Sequence, residues 1–491
     1  MTLRSITFFL LLTCFTYITN AQEFRLTVQN GYGSGVYKAG DTVRVWANKF
    51  LPDSVFNGWG QSIKLRFIIS PREWNTLLIM PGVDVTVTAT FAYSAPLRWN
   101  EADVDLGFVK KHVWFSVPNN PRGLITLHHF TNGRGKVWTE RTEYTQFCHA
   151  ATAMGFGLLA YNCDEVDRGP QDNDKLDQWK AFPVSATENP DHRSIRAMLD
   201  SLIRRGTIIS TTPVFAVGMS VGGGYTLSVA TVLGYKAWAN YCSGGPLAIA
   251  DFTTVPGIQA PAINDANGDD VPIGENNKKA REVFEKLSTR GIRCEWLQNL
   301  PQPLYPQRFA RIEGITIQKS TALFRQLKEN GFLDTNNIPK IQGDTLEYVI
   351  RKFPNVLTEF SSLPENLWKE ALYQYRVAYA DHEFHSNFTY ATLYFFESIL
   401  LQTTDVPNAP TQNTVTVTPN PATESIILQL QSNTDTTTIE LYNAMGTLLH
   451  TVHTNTGITT LPLSNDIPNG VYFLRMNSFQ GNYSTSFVVQ R

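Results

Sequence analysis

Pro213 to Gly224 reads PVFAVGMSVGGG. Pro213 to Val217 is a short apolar, β-leaning run, Gly218, Ser220 and Gly222 form GxSxG, and the following YTLSVATVL has a helical pattern. The stretch reads as strand, sharp turn and helix, with Ser220 at the turn. So tight a turn admits only glycine where neighbouring backbone packs closely. A helix starting near Val221 directs free N–H groups and its positive dipole end at the point beside Ser220 where a tetrahedral oxyanion would form. A bare GxSxG recurs by chance, and the same residues also fit an inert glycine-rich turn. The chemical reading therefore needs a base, an acid and a second oxyanion donor elsewhere in the chain.

Working outward, LITLHH and FGLLAYN read as strands before the turn, with helices over Thr139 to Met154 and His192 to Arg205. KAWANY and APAIND read as strands after it, followed by a helix from Lys278 to Thr289 that Gly291 closes. Strand and helix alternate, which predicts an α/β domain with a parallel sheet and crossover helices. From Gln298 to Lys369 the alternation stops and Leu, Phe, Tyr and Pro recur in short helical pieces, as in a helical cap inserted over a site. YQYRVAY then reads as the last strand, and Tyr390 to Leu401 as the last helix.

With Ser220 placed after a parallel strand, the chain from about Val104 to Gln402 resembles the α/β-hydrolase family, whose nucleophile, acid and base follow in that order. The resemblance implies an acid after the strand that follows KAWANY, where the chain reads Asn264-Asp265-Ala266-Asn267-Gly268-Asp269-Asp270-Val271-Pro272. This is similar to the family's aspartates before Val-Pro and points to Asp269, with Asp270 open because one residue of the usual spacing is missing. Asp265, Asn267 and Asp269 also alternate like calcium ligands, but no acidic residue closes such a loop. The base is implied after the last strand. His385-Ser386-Asn387-Phe388 resembles the family's histidine loop and points to His385, with His382 as the alternative. LHHFTNGRG resembles the strand that carries the second oxyanion donor: His128 matches the family histidine, His129 stands where glycine is usual, and Phe130 supplies an N–H beside that of Val221. The implied activity is carboxylic ester hydrolysis through a Ser-His-Asp triad, with no metal and no cofactor. A peptidase with the same triad and a non-catalytic surface binding protein are the alternatives.

The ends of the chain specify its address. Arg4, the apolar run Ile6 to Phe15 and Thr19-Asn20-Ala21 read as a signal peptide over residues 1–21. Its apolar run is too short to span a bilayer, and no later stretch qualifies as a transmembrane segment. From Gln22 to Ser94, FRLTVQ, TVRVWA, KLRFII and VTVTATF read as strands of a small all-β domain separated by NGYGSG, PDSVFNGW and an MPG turn. The order of these motifs resembles the InlB-type B-repeat of bacterial surface proteins, in which Phe56 and Trp59 would be core rather than sugar platforms. Residues 403–414 read as a linker. In the all-β tail, 415–491, VTPNPA, YNAMG, NGVYFLR and the closing FVVQR resemble the C-terminal sorting domain of the type IX secretion system of Bacteroidetes. The resemblance implies type IX secretion machinery as a partner and a secreted or cell-surface protein.

Across 491 residues, 41 basic and 43 acidic residues leave a net charge of -2, so no field favours nucleic acid or an anionic membrane. Cys14 belongs to the signal; Cys148, Cys163, Cys242 and Cys294 allow up to two disulfides but lack zinc-site spacing.

Overall fold

The computed structural model describes residues 22–48, 52–169, 175–265, 274–403, 416–419, 421–429, 437–443, 448–455, 458–464, 466–478 and 481–490. The stretch read as a signal peptide and nearly all of the stretch read as a linker lie outside them. The chain divides into two compact units, 1–404 and 405–491.

The centre of the first unit is an eight-stranded sheet. Its strands are β1 (Asn100–Asp105), β2 (Lys110–Ser116), β3 (Gly123–His128), β4 (Phe156–Tyr161), β5 (Val214–Met219), β6 (Ala237–Tyr241), β7 (Gly257–Ala260) and β8 (Cys294–Trp296). They lie in the order β8-β7-β6-β5-β3-β4-β2-β1. Pairs from β4 through β3 to β8 are parallel, whereas β2 runs antiparallel to both β4 and β1. All six residues of β3 and of β4 are buried, as strands covered on both faces require. Successive residues of β3 feed different cores: Leu124 packs with Ile195 and Leu227, while Ile125 and Leu127 pack with Phe147 and Phe396. Helices α1 (Thr142–Ala153), α2 (Pro190–Arg204), α3 (Val221–Leu233) and α4 (Glu275–Thr289) provide much of this cover. This is the largely parallel α/β arrangement that the alternation of strand and helix predicts.

Between β8 and the last helix come α5 (Ile317–Glu329), α6 (Gly343–Lys352) and α7 (Glu365–Tyr379), with a core of their own built on Phe309, Leu323, Leu346 and Trp368. YQYRVAY, expected as the last strand, is instead the C-terminal half of α7, and the sheet ends at Cys294–Trp296. The reason is burial: α7 buries Ala371 to Tyr375 and both Val377 and Ala378, so no polar face marks the helical period and its aromatic content imitates a strand. The last helix, α8, spans Thr389–Thr403.

The N-terminal all-β region has two sheets, one ordered Gly35–Lys38, Glu23–Gln29, Val85–Tyr93, Ser54–Gln61, the other Gly31–Tyr32, Thr42–Ala47, Asn75–Ile79. KLRFII, expected as a strand, makes only an isolated bridge from Phe67 to Leu78. PDSVFNGW, residues 52–59, reads as a connection, but Ser54–Gln61 is a strand with a bulge between Phe56 and Gly58 that lets both Phe56 and Trp59 turn inward. Both rings are core. That core continues into the α/β region, where Phe56 meets Tyr390 with ring centroids 5.8 Å apart.

The second unit pairs a three-stranded sheet (Thr416–Thr418, Ser425–Gln429, Ile458–Pro462) with a four-stranded antiparallel one (Leu448–Thr454, Thr437–Asn443, Gly470–Ser478, Gly481–Val489). Ile426, Leu441, Leu474 and Phe487 are among the side chains of its core. Cys148, Cys163, Cys242 and Cys294 are all free thiols. Among the described residues no helix is long and apolar enough to cross a membrane.

Candidate active site

Ser220 sits between β5 and α3 with φ 57° and ψ -131°, a strained conformation for a residue with a side chain. The surrounding packing enforces it. A Cβ at Gly218 would lie 2.2 Å from the Gly222 carbonyl oxygen, and one at Gly222 would lie 2.2 Å from that of His129. Both glycines are therefore needed for close approach rather than for flexibility. The Ser220 amide donates to Tyr241 O at 2.9 Å, which ties the turn to the end of β6.

His382 faces the serine, its Nε2 2.9 Å from Ser220 Oγ, and its Nδ1 is 2.8 Å from Asp265 Oδ1. Nδ1 therefore carries the proton toward the carboxylate and Nε2 accepts from the hydroxyl. Asp265 is buried just beyond the isolated bridge from Ala262 to Asn299 that follows β7, and Asn276 from α4 also donates to it. His382 follows the left-handed Ala380 that ends α7, and its own amide is held by Asp381 Oδ1 at 2.9 Å. Burial works against a charged His382. The hydrogen bond and charge of Asp265, reinforced by Glu383 and Asp381, outweigh it and raise the imidazole above its ordinary 6.5. Burial likewise pushes Glu383 up to about 7 despite Arg141 and Arg376 nearby.

One expected position is corrected, and one lies outside the described residues. His385 does not face Ser220: it is fully buried between Tyr241 and Phe388, with ring centroids 5.3 and 5.1 Å away. Neither of its ring nitrogens has a hydrogen-bond partner among the described residues, and burial lowers it to about 4. The histidine against the serine lies three residues earlier because β8 ends before the cap and α7 delivers the loop. Asp269 and Asp270 lie outside the described residues, while Asp265, read from sequence only as a calcium ligand, makes the carboxylate bond to His382. Among the described residues no cluster suits a metal ion.

The expected oxyanion donors are the amides of Val221 and Phe130. Val221 is the first residue of α3, whose start has no side-chain cap, and the Phe130 amide has no acceptor among the described residues. His129, where glycine was expected, is buried, and burial lowers it to about 3, so it is neutral. Its Nε2 accepts from the Cys163 amide at 3.0 Å, which leaves Nδ1–H to donate to Phe130 O at 2.7 Å. The imidazole thus pins the loop that a glycine would have left free.

Residues 416–490 match the model of the secretion system C-terminal sorting domain. The second unit is a type IX sorting domain, which directs export to the cell surface or medium. No curated protein matches the chain. Among solved structures, the type-IX surface component PorZ of Porphyromonas gingivalis is similar at 18% identity over 18% of this chain and 13% of its own length, with a TM-score of 0.15. An alpha-beta serine hydrolase homologue from Coxiella burnetii matches at 15% identity over 42% of this chain and 88% of its own, with a TM-score of 0.29. Dienelactone hydrolase from Anabaena variabilis matches at 15% identity over 48% and 96%, also with a TM-score of 0.29.

Proposed function

We propose that the exported chain is a serine hydrolase that cleaves carboxylic esters through an acyl-enzyme. The observation that carries this reading is the continuous relay from Ser220 Oγ through His382 to Asp265, with contacts of 2.9 and 2.8 Å, at a strained strand-to-helix turn. Ser220 Oγ attacks the ester carbonyl while His382 Nε2 takes its proton. Asp265 holds the tautomer and stabilises the imidazolium. The N–H groups of Phe130 and Val221 receive the developing oxyanion. His382 then protonates the departing alcohol, and after water enters, the same imidazole activates it to release the acid and free Ser220.

A panel of nitrophenyl esters and aminoacyl amides on the mature protein tests the reading. Ester cleavage is expected, and Ser220→Ala should lower kcat by a factor on the order of 10⁴ or more while the fold melts as before. Retention of most turnover in the variant would remove the nucleophile assignment. Faster turnover of the amides would make the protein a peptidase.

A further inference from the structure

We propose that Trp179, outside the triad, is a positioning residue that aims the Phe130 amide at the oxyanion, an inference that rests on the serine-hydrolase reading above. The Trp179 indole N–H donates to the His129 carbonyl oxygen at 2.8 Å, and the ring is almost fully buried. His129 C=O and Phe130 N–H belong to one planar trans peptide, so they point in opposite directions. Holding the oxygen on the indole side fixes the N–H on the other, where it has no acceptor among the described residues.

The segment that carries Trp179 is built as a clamp on that loop. Asn132 N donates to Asp177 O at 2.8 Å, Asp177 N returns a bond to Asn132 Oδ1 at 2.9 Å, and Arg134 pairs with the Asp177 carboxylate at 3.1 Å. From behind, Gln178 N is held by Glu165 at 3.0 Å and Lys180 N by Asp191 at 2.8 Å. The indole stacks on Tyr225 of α3, centroids 4.9 Å apart at 22°, so the helix that supplies the other donor braces the clamp as well. Both donors are thus referenced to one rigid group, and a small rotation of the 129–130 peptide would misdirect a bond that matters most in the transition state.

The test separates this role from mere packing. Trp179→Phe removes the indole donor, and replacement of Trp179 by 3-benzothienylalanine removes the N–H while keeping the bicyclic shape. Both should lower kcat on a nitrophenyl ester by roughly 10- to 100-fold, below the loss of a whole oxyanion donor because the amide itself remains. KM and the melting temperature of the benzothienyl form should hold. Binding of a trifluoromethyl ketone, which becomes an oxyanion on Ser220, should weaken by the same factor as kcat. Unchanged kcat in the benzothienyl form overturns the inference, as does a kcat loss without weaker ketone binding. Ser220→Ala runs in parallel: if it keeps turnover, the triad reading falls and this inference with it, whereas its inactivity beside an unaffected benzothienyl form overturns the positioning role alone.

Discussion

His382 and His385 share one loop, but their partners give them opposite acid-base character. His382 has a carboxylate on one nitrogen and a hydroxyl on the other, whereas His385 is walled by rings and kept neutral by burial. His382→Ala should therefore match Ser220→Ala in lost kcat, and the double variant should be no worse than either, because triad members act as a unit. His385→Ala should keep kcat within about tenfold and instead lower stability by roughly 2 to 4 kcal/mol, the usual cost of emptying a large buried site. The reverse ranking in steady-state kinetics would return the base to His385. A pH profile adds a second check. The base works only when neutral, and Asp265 raises His382, so kcat/KM should fall as pH drops through a midpoint above 6.5. In Asp265→Asn that limb should move to lower pH. Folding runs the other way: the stability that His382 gains from Asp265 is complete below about 6.5 and is lost as pH rises through its folded value. Sequence could locate this loop but not choose between its histidines, because the choice depends on where α7 stops, and Ala380 in a left-handed conformation leaves no glycine signal there. Asp265 was hidden in the same way by the Asp269-Asp270 pair, which carries the family pattern more openly.

At the scale of elements, the site is held by joints between helices that sequence periodicity does not show. Glu143 in the first turn of α1 is fully buried and meets Arg308 at 3.2 Å and Arg311 at 3.1 Å from the approach to the cap. It also accepts from the amide and the hydroxyl of Ser386, at 2.8 and 2.6 Å, on the loop that carries His382. Burial opposes its charge, but Arg311, Arg308 and Ser386 outweigh it and bring Glu143 down to about 2. Burial lowers Arg311 to about 10, so it stays charged at neutral pH. Because the folded value lies below the unfolded one, this stabilisation is present above pH of about 4.3 and is lost as pH falls toward about 2. Glu143→Gln should lower stability at pH 7 by about 3 kcal/mol, since it leaves two buried guanidinium groups without their anion. The variant should also show a shallower loss of stability between pH 4.5 and 2 than the parent chain. Equal acid slopes in urea melts would mean that Glu143 is not the group responsible. The crossover pattern of the sheet was legible because its strands are short, apolar and separated by clear helices. The C-terminal half of α7 was not, because a helical segment buried on most sides loses the polar stripe that identifies it.

For the whole molecule, the all-β region at the N-terminus and the all-β tail contribute in different ways, although in sequence both read as small modules flanking a catalytic domain. The tail is a separate unit with its own core, and its address was legible because ordered motifs encode it. The N-terminal region shares its core with the α/β region and reaches the loop that carries His382. Glu73, buried and pushed up to about 8, accepts from the amides of Tyr390 and Ala391 at the start of α8. The neighbouring Trp74 donates its indole N–H to Ser386 O at 2.9 Å and stacks under Arg311 at 3.9 Å, while Asn75 donates to Asn387 at 3.1 Å. Such long-range pairs leave no trace in local pattern, because each joins positions about 312 residues apart. Residues 22–404 alone should therefore keep kcat/KM within about twofold of the chain that retains its tail. Residues 95–404 should not fold to an active state. Tyr390 packs on Phe56, and Tyr305 on Tyr32 and Trp46, so removing the N-terminal region would return two large rings to water at roughly 2 to 3 kcal/mol each and leave the start of α8 without its acceptor, which together take up much of the margin of a folded domain. Within the intact chain, Trp74→Ala should lower the melting temperature and reduce kcat on esters more than it changes KM, because Ser386 and His382 ride on the same loop. Soluble, fully active 95–404 with an unshifted melting temperature would show that the N-terminal region is only an appended module.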